Sequence, residues 1–367
     1  QWFPRDGETH WRQSVDREVA TTRASVGVCD VTTLGKIDVQ GSDAAAFLNK
    51  IYCNGFAKLD VGKTRYGLML REDGIVMDDG TAARLAEDHF VVTTTTANAV
   101  SVYRHMEFVR QVLWPDMDVQ LISTTESWAQ YAVAGPNARN LLRKIIDAEF
   151  DISNEAFPFM ACGAITVCGG LRARLFRISF SGELAYEIAV PTRYGDAMMR
   201  ALIEACEEFG GCAYGTEALS VMRIEKGHAA GNELNGTTTA LNLGMGQLVS
   251  MQKDSIGAVL SRRDGLTGDD VLKLVGFKPC RTSDSVPAGS HLMTKGSPID
   301  AKHDQGYVTS ACYSPTLGHH IAIGFLKAGD QRLGEIVRLV SPLTNIEHDV
   351  EVVSAHFVDP EGDKLRA

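Results

Sequence analysis

After Lys273 the chain offers short strands separated by turns, and little else. Lys273–Phe277, Gly306–Ser310, His320–Leu326, Glu335–Val340 and Asp349–Phe357 are apolar or alternating runs bounded by Gly, Pro, Ser and Asp. A unit of roughly 95 residues made only of strands leaves sheet edges unpaired unless the sheet closes, so a small barrel is expected there. Upstream the pattern differs. Capping residues and helical spacing predict helices at Ser42–Ile51, Asn137–Ile146 and Asp196–Phe209, while β-branched runs predict strands at Lys36–Val39, Phe90–Thr96, Tyr131–Ala134 and Ala173–Ser179. The expected class is α+β: a core over residues 1–268, built of two interleaved subdomains, followed by an all-β barrel over 269–367.

Charge and composition narrow the partners. The 36 Lys plus Arg against 46 Asp plus Glu leave a formal charge of −10, which repels a phosphate backbone and makes nucleic acid a poor partner. No run approaches the eighteen or so uncharged apolar residues of a membrane span. The eight cysteines include no Cys-x-x-Cys, so free thiols in a reducing, cytoplasmic compartment are expected rather than disulfides or structural zinc. His319-His320 and the other histidines lack ligand spacing, so no metal is expected. Gln1 is followed by neither a signal nor a transit pattern, and the chain reads as excised from something longer, or processed.

Familiar motifs fail on inspection. Gly62-Lys63-Thr64 has Ala57 where a phosphate loop needs glycine, and Gly244-Met-Gly246 has Val249 where a dinucleotide fingerprint needs its third. What remains is Arg71-Glu-Asp-Gly-Ile-Val-Met-Asp78-Asp79-Gly80, a glycine turn leading into a strand with adjacent carboxylates. In a regular strand Asp78 and Asp79 point to opposite faces, so at most one faces a given pocket.

Five more segments stand beside it: Tyr66-Gly67-Leu-Met-Leu70, Val133-Ala-Gly-Pro-Asn137, Phe180-Ser-Gly-Glu183-Leu-Ala-Tyr186-Glu187, Arg223-Ile-Glu225-Lys-Gly-His-Ala-Ala-Gly231-Asn-Glu233 and Tyr313-Ser-Pro-Thr-Leu-Gly318. In this order they resemble the aminomethyltransferase (glycine cleavage T-protein) family across nearly the whole chain. Thr33–Ile37, Ile224–Thr239 and Gly306–Ser310 look, more narrowly, like the C-terminal half of the alpha subunit of bacterial heterotetrameric sarcosine oxidase. The resemblance implies three small domains arranged as a clover leaf around a central folate site, the last a β barrel. It implies tetrahydrofolate as cofactor and a small-molecule substrate. Flavin and NAD would belong to absent parts of a parent complex, whose other subunits and N-terminal half would be partners.

Site residues follow from the same resemblance. The family's catalytic aspartate, the first of the pair, carries over to Asp78, where a carboxylate can manage a proton and stabilise an iminium cation. Tyr186 and Glu187 carry over as pterin contacts, because a carboxylate accepts two parallel hydrogen bonds from a ring N–H and an exocyclic amine. Tyr66 would form a flat wall beside the pterin. Arg223 would meet the glutamate tail, although an internal bridge to Glu225 or Glu233 stays open. One departure is Thr93-Thr-Thr-Thr96, where many members carry asparagine. Another is His228, which replaces the cysteine of a non-catalytic, folate-binding branch.

The implied reaction captures the carbon released by sarcosine oxidation, forming 5,10-methylenetetrahydrofolate. Transfer from another small methylated compound, or folate binding without chemistry, are the alternatives.

Overall fold

The computed structural model describes residues 1–367, and their backbone makes three sheets. The first contains β2 (Gly35–Gln40), β3 (Thr64–Leu70), β4 (Val76–Ala86), β5 (His89–Thr94) and β6 (Gln120–Ser123), in the order β3-β4-β5-β2-β6. The second contains β1 (Gly27–Asp30), β7 (Trp128–Ala134), β8 (Cys162–Val167), β9 (Leu171–Phe176), β10 (Ala185–Pro191) and β11 (Cys212–Ala213), in the order β11-β1-β7-β10-β9-β8. The third closes on itself: β12 (Leu272–Pro279), β13 (His291–Met293), β14 (Asp304–Ser314), β15 (His319–Lys327), β16 (Ile336–Ser341) and β17 (Ile346–Val353) form a six-stranded barrel. The α+β class with a C-terminal barrel is what the strand and helix patterns led one to expect.

Each unit buries its own apolar face. In the first, helices α2 (Ala44–Ile51) and α3 (Ala99–Phe108) place Phe47, Leu48, Val102 and Met106 against Ile37, Val39, Phe90 and Val92. In the second, α4 (Ala138–Leu142) and α5 (Gly195–Glu207) cover Val133, Leu175, Tyr186 and Ile188. The opposite face of that sheet carries Cys29, Ala132, Ala134 and Ala185, which α1 (Trp11–Ala24) and α6 (Thr216–Lys226) cover with Val15, Val19, Val221 and Met222. The barrel packs Phe277, Leu292, Leu326 and Leu339 inside. Burying such side chains contributes roughly 1.5–3 kcal/mol each, so every unit has a core of its own.

Local differences from the sequence expectation have physical causes. Five barrel strands are legible, yet the barrel has a sixth, β13, only three residues long and too short to show a period. The helix expected over Asn137–Ile146 is regular only for Ala138–Leu142, because Ile146 pairs with Val167 in an isolated bridge. β5 stops at Thr94, and the next amide, Thr95 N–H, donates to Asp78 instead of to a strand.

The first two sheets meet face to face at one end. Ala83 and Val91 of the first pack on Cys162, Phe176 and Ala189 of the second. Beside them the Arg174 guanidinium, stacked 4.1 Å over the Trp128 ring, grips Asp38 through bonds of 2.9 and 2.6 Å. That clasp fixes the angle between the sheets.

Candidate functional site

Beyond the clasp, the same faces carry the polar residues. In an antiparallel sheet, directly opposed residues share a face, and successive pairings carry that face from strand to strand. Tyr66 of β3 opposes Thr81 of β4, the Thr81 and Thr93 hydroxyls lie 2.8 Å apart, and Thr93 of β5 opposes Lys36 of β2. Tyr66, Thr81, Thr93 and Lys36 thus form one row across four strands. Gly80 permits it: a Cβ there would sit 2.0 Å from the Thr93 carbonyl oxygen, so only glycine lets β4 and β5 approach this closely.

Asp79 joins the row, two residues before Thr81 on the same face. Tyr66 Oη donates to Asp79 Oδ2 at 2.9 Å. Burial pushes the Asp79 carboxyl up to about 6, against the Tyr66 hydrogen bond, which acts the other way. The Tyr66 phenol is held well above its ordinary value, mainly by burial and then by the neighbouring Asp79 charge.

Asp78 points to the other face and is already engaged. Its Oδ1 accepts from Thr95 Oγ1 at 2.7 Å and Asn98 Nδ2 at 3.0 Å, and its Oδ2 accepts from Thr95 N at 3.1 Å. Only 2% exposed, with its acid raised by burial, it anchors the turn leading into α3. Alternation along β4 thus puts Asp79 beside Tyr66 and turns Asp78 to the other face, toward Thr95 and Asn98.

The facing wall comes from the second sheet. Glu187 on β10 is 8% exposed, and Gln130 Nε2 donates to its Oε2, while Oε1 has no protein donor. Burial raises its acid, opposed first by Gln130 and then by the positive charge of Lys36. Lys36 is itself buried, its Nζ held by the Thr32 and Leu34 carbonyls at 2.7 and 2.8 Å. Desolvation lowers that ammonium to about 8. Thr32 also accepts a hydrogen bond from Gln130 N at 3.0 Å, so one loop ties Lys36 to the strand beside Glu187.

Tyr186 does not join Glu187. Neighbours on a strand face opposite ways, and Tyr186 lies in the second unit's core, fully buried, its hydroxyl accepting from Arg139 Nε at 2.9 Å. The two side chains therefore lie on opposite faces of β10.

Arg223 makes the internal bridge to Glu233 that the sequence left open. Its Nη1 donates to Glu233 Oε2 at 2.8 Å and to the His228 carbonyl at 3.2 Å, and its Nη2 donates to Ser310 Oγ at 2.6 Å. With 5% exposure and these partners, it joins α6 to the barrel. A parallel bridge joins Arg23 to Glu183 at 2.6 Å and to Glu225, whose other oxygen accepts from Ser314 Oγ at 2.5 Å.

Of the expected residues, the structure places Tyr66 and Glu187 on the facing walls and moves Asp78, Tyr186 and Arg223 elsewhere. Asp79, Gln130 and Lys36, which the sequence reading did not single out, stand beside them. Alternation alone could have offered Asp79, whereas Gln130 and Lys36 gave no motif and emerge only from sheet pairing.

The arrangement suits a ligand with adjacent N–H donors. A buried carboxylate with one oxygen lacking a donor retains the cost of desolvation until donors arrive. Glu187 Oε1 fits a ring N–H and exocyclic amine in that sense, and Asp79 with Tyr66 offers a proton-exchanging group farther along the row.

Comparisons with known proteins place the chain in a family. The GCVT N-terminal domain matches residues 1–253, and the glycine cleavage T-protein C-terminal barrel domain matches residues 273–359. Sarcosine oxidase subunit alpha of Rhizobium meliloti (strain 1021) is 51% identical over 99% of this chain and 37% of its own length. The subunit of the same name from Corynebacterium sp. (strain P-1) is 42% identical over the same shares. The chain therefore spans little more than a third of these relatives. An aminomethyltransferase of Halothermothrix orenii is 29% identical over 94% of this chain and 92% of its own. Aminomethyltransferase T of the glycine cleavage system from Bartonella henselae shares the fold, with a TM-score of 0.81 at 24% identity over 98% of this chain and 94% of that one. The chain belongs to the glycine cleavage T-protein family, as an aminomethyltransferase-type domain related to sarcosine oxidase subunit alpha.

Proposed function

We propose that this chain binds tetrahydrofolate between its first two sheets and serves the capture of a one-carbon unit released by sarcosine oxidation, giving 5,10-methylenetetrahydrofolate. The observation that carries this reading is the pair of carboxylates on facing walls, Glu187 with an oxygen lacking a donor and Asp79 with an acid near 6. Tetrahydrofolate supplies the two amine nitrogens that accept the carbon. Across the exchange, the iminium of oxidised sarcosine becomes glycine, and the two protons that leave the folate nitrogens end on the glycine amine, so no net proton is released.

The chain's own residues do three things. Glu187, oriented by Gln130, accepts hydrogen bonds from the pterin edge. Tyr66 walls the site and fixes Asp79 by its hydroxyl. Asp79, able to hold or release a proton close to neutral pH, relays protons at its carboxylate and offers negative charge to an iminium. Asp78 acts at one remove, holding Thr95 and Asn98 and thereby the strand that carries Asp79. Residues 1–268 form the binding core in this reading, with 269–367 closing it from the side. Flavin and NAD chemistry, and the other subunits, lie with the remaining length of the sarcosine oxidase relatives.

The test is calorimetric titration of the native chain, Glu187→Ala and Asp79→Asn with tetrahydrofolate. Binding by the native chain and by Asp79→Asn, lost in Glu187→Ala, is the expected result. A native chain that is folded by circular dichroism and binds no folate would overturn the reading. Product analysis in the full oxidase separates 5,10-methylenetetrahydrofolate from 5-methyltetrahydrofolate, the mark of direct demethylation.

A further inference from the structure

A buried ammonium is costly unless a counter-charge meets it, and Lys36 is 1% exposed with carbonyls for partners. Thr32 and Leu34 take two of its three N–H donors, and neither neutralises its charge. Its backbone is fixed as well. Lys36 N–H donates to Thr125 Oγ1 at 3.0 Å, and Thr124 N–H donates to the Lys36 carbonyl at 2.8 Å. The positive charge is therefore held at one place on the cleft face of β2, at the end of the row that starts with Tyr66.

Three acids act on that charge, Glu187 first, then Glu126 and Asp30. Glu126 and Asp30 are exposed, so water screens them, whereas Glu187 is buried in the facing wall. In return, Lys36 is the charge that favours the Glu187 carboxylate against burial, after the Gln130 hydrogen bond. The other titratable groups that feel Glu187, Cys29 and Tyr214, are held uncharged by burial. Lys36 and Glu187 are also joined through the backbone. The Gln130 carbonyl accepts from Val31 N at 3.0 Å and from Thr32 Oγ1 at 3.3 Å, and Gln130 N donates to Thr32 Oγ1 at 3.0 Å. The loop that cradles the ammonium is thus pinned to the residue whose side chain orients Glu187.

We propose that Lys36 is a positioning residue for Glu187: its charge keeps that side chain a carboxylate inside the cleft, and its grip on the 32–34 loop keeps Gln130 against it. The assignment rests on the folate reading above and deepens it. A carboxylate offers an acceptor to each of two adjacent N–H donors, whereas a protonated Glu187 would turn a donor of its own toward one of them. Ligand affinity therefore follows the ionisation of Glu187, and Lys36 sets the pH at which that ionisation occurs.

The experiment measures tetrahydrofolate affinity by calorimetry from about pH 5 to about pH 9, in an Asp79→Asn background so that the second acid of the cleft does not titrate. Protonation of the ligand is common to all variants and cancels in the comparison. Lys36→Gln keeps two N–H donors for the loop carbonyls and removes the charge. Losing the cation raises the Glu187 acid, so the acid limb of the profile should move up by about one pH unit. Binding on that limb should weaken about tenfold, with the alkaline plateau unchanged. Lys36→Arg should return the limb to its place, and Lys36→Met repeats the charge test if Lys36→Gln does not fold. Thr32→Val cuts the tie to Gln130 and leaves the charge, so it should weaken binding about fivefold at every pH with the limb unmoved. Equal weakening at every pH in Lys36→Gln, an unmoved profile, or an arginine variant that tracks the glutamine one would overturn the role of the charge. Unchanged affinity in Thr32→Val would overturn the tie. A folded parent chain that binds no tetrahydrofolate at any pH overturns the folate reading itself, a result distinct from all of these.

Discussion

Two groups of buried charge lie in this molecule, and they are built on opposite principles. Around α6, Arg23 meets Glu183 and Glu225, and Arg223 meets Glu233, so these three buried acids each have a guanidinium against them. Across the cleft, Asp79 has a phenol and Glu187 has an amide, and no guanidinium faces either. Neutralised charge holds units together; charge left short of partners is poised to exchange protons or hydrogen bonds with something that arrives. The arginine that motif reading drew toward the ligand lies in the first group, bridged to Glu233.

Breaking the matched group should have the largest effect. Arg23→Met strands Glu225, which is 0% exposed, and leaves Glu183, 3% exposed, with Lys364 alone, and should cost about 3–5 kcal/mol in urea unfolding. A loss below about 1 kcal/mol would erase the distinction between the two groups.

Asp79→Asn should act in the reverse direction on stability. The folded acid sits at about 6 against 3.8 for an ordinary aspartate, so between those values the folded chain holds more protons than the unfolded one, and stability falls as pH rises through that window. Removing the carboxyl should therefore stabilise the chain by on the order of 1–2 kcal/mol at pH 8 and leave it nearly unchanged at pH 4, while one-carbon transfer is lost. Thermal melts across pH check the sign: a stability gain that is larger at pH 4 than at pH 8 would refute it.

The smallest effect sharpens the contrast within a single dipeptide. Tyr186→Phe removes the hydroxyl that accepts from Arg139 and should cost about 1 kcal/mol, with folate affinity unaltered. Weakened folate binding in that variant would return Tyr186 to the site beside Glu187.

Much of the fold was legible because its signals are local. Alternation marked most strands, capping residues marked α2 and α5, and the change of pattern near residue 270 marked the barrel. What escaped depended on pairing over long distances. β13 carries three residues and exists because β14 and β16 flank it. The fate of Arg223 depends on Ser310, which lies 87 positions away. Asp78 and Asp79 were separable by alternation, but which of them meets Tyr66 depends on strand pairing that the sequence does not print. Tyr186 illustrates the same limit, since a dipeptide motif does not say which member points inward.

The row from Tyr66 to Lys36 has one more consequence. Its ends sit on β3 and β2, three strand spacings apart in the order β3-β4-β5-β2, and each spacing is about 4.8 Å, so the sheet works as a ruler of about 14 Å. Loops cannot stretch or shorten it, because its divisions are backbone hydrogen bonds. Substitution at the Asp79 end therefore leaves the position of Lys36, whose charge acts on Glu187 of the other sheet, unchanged.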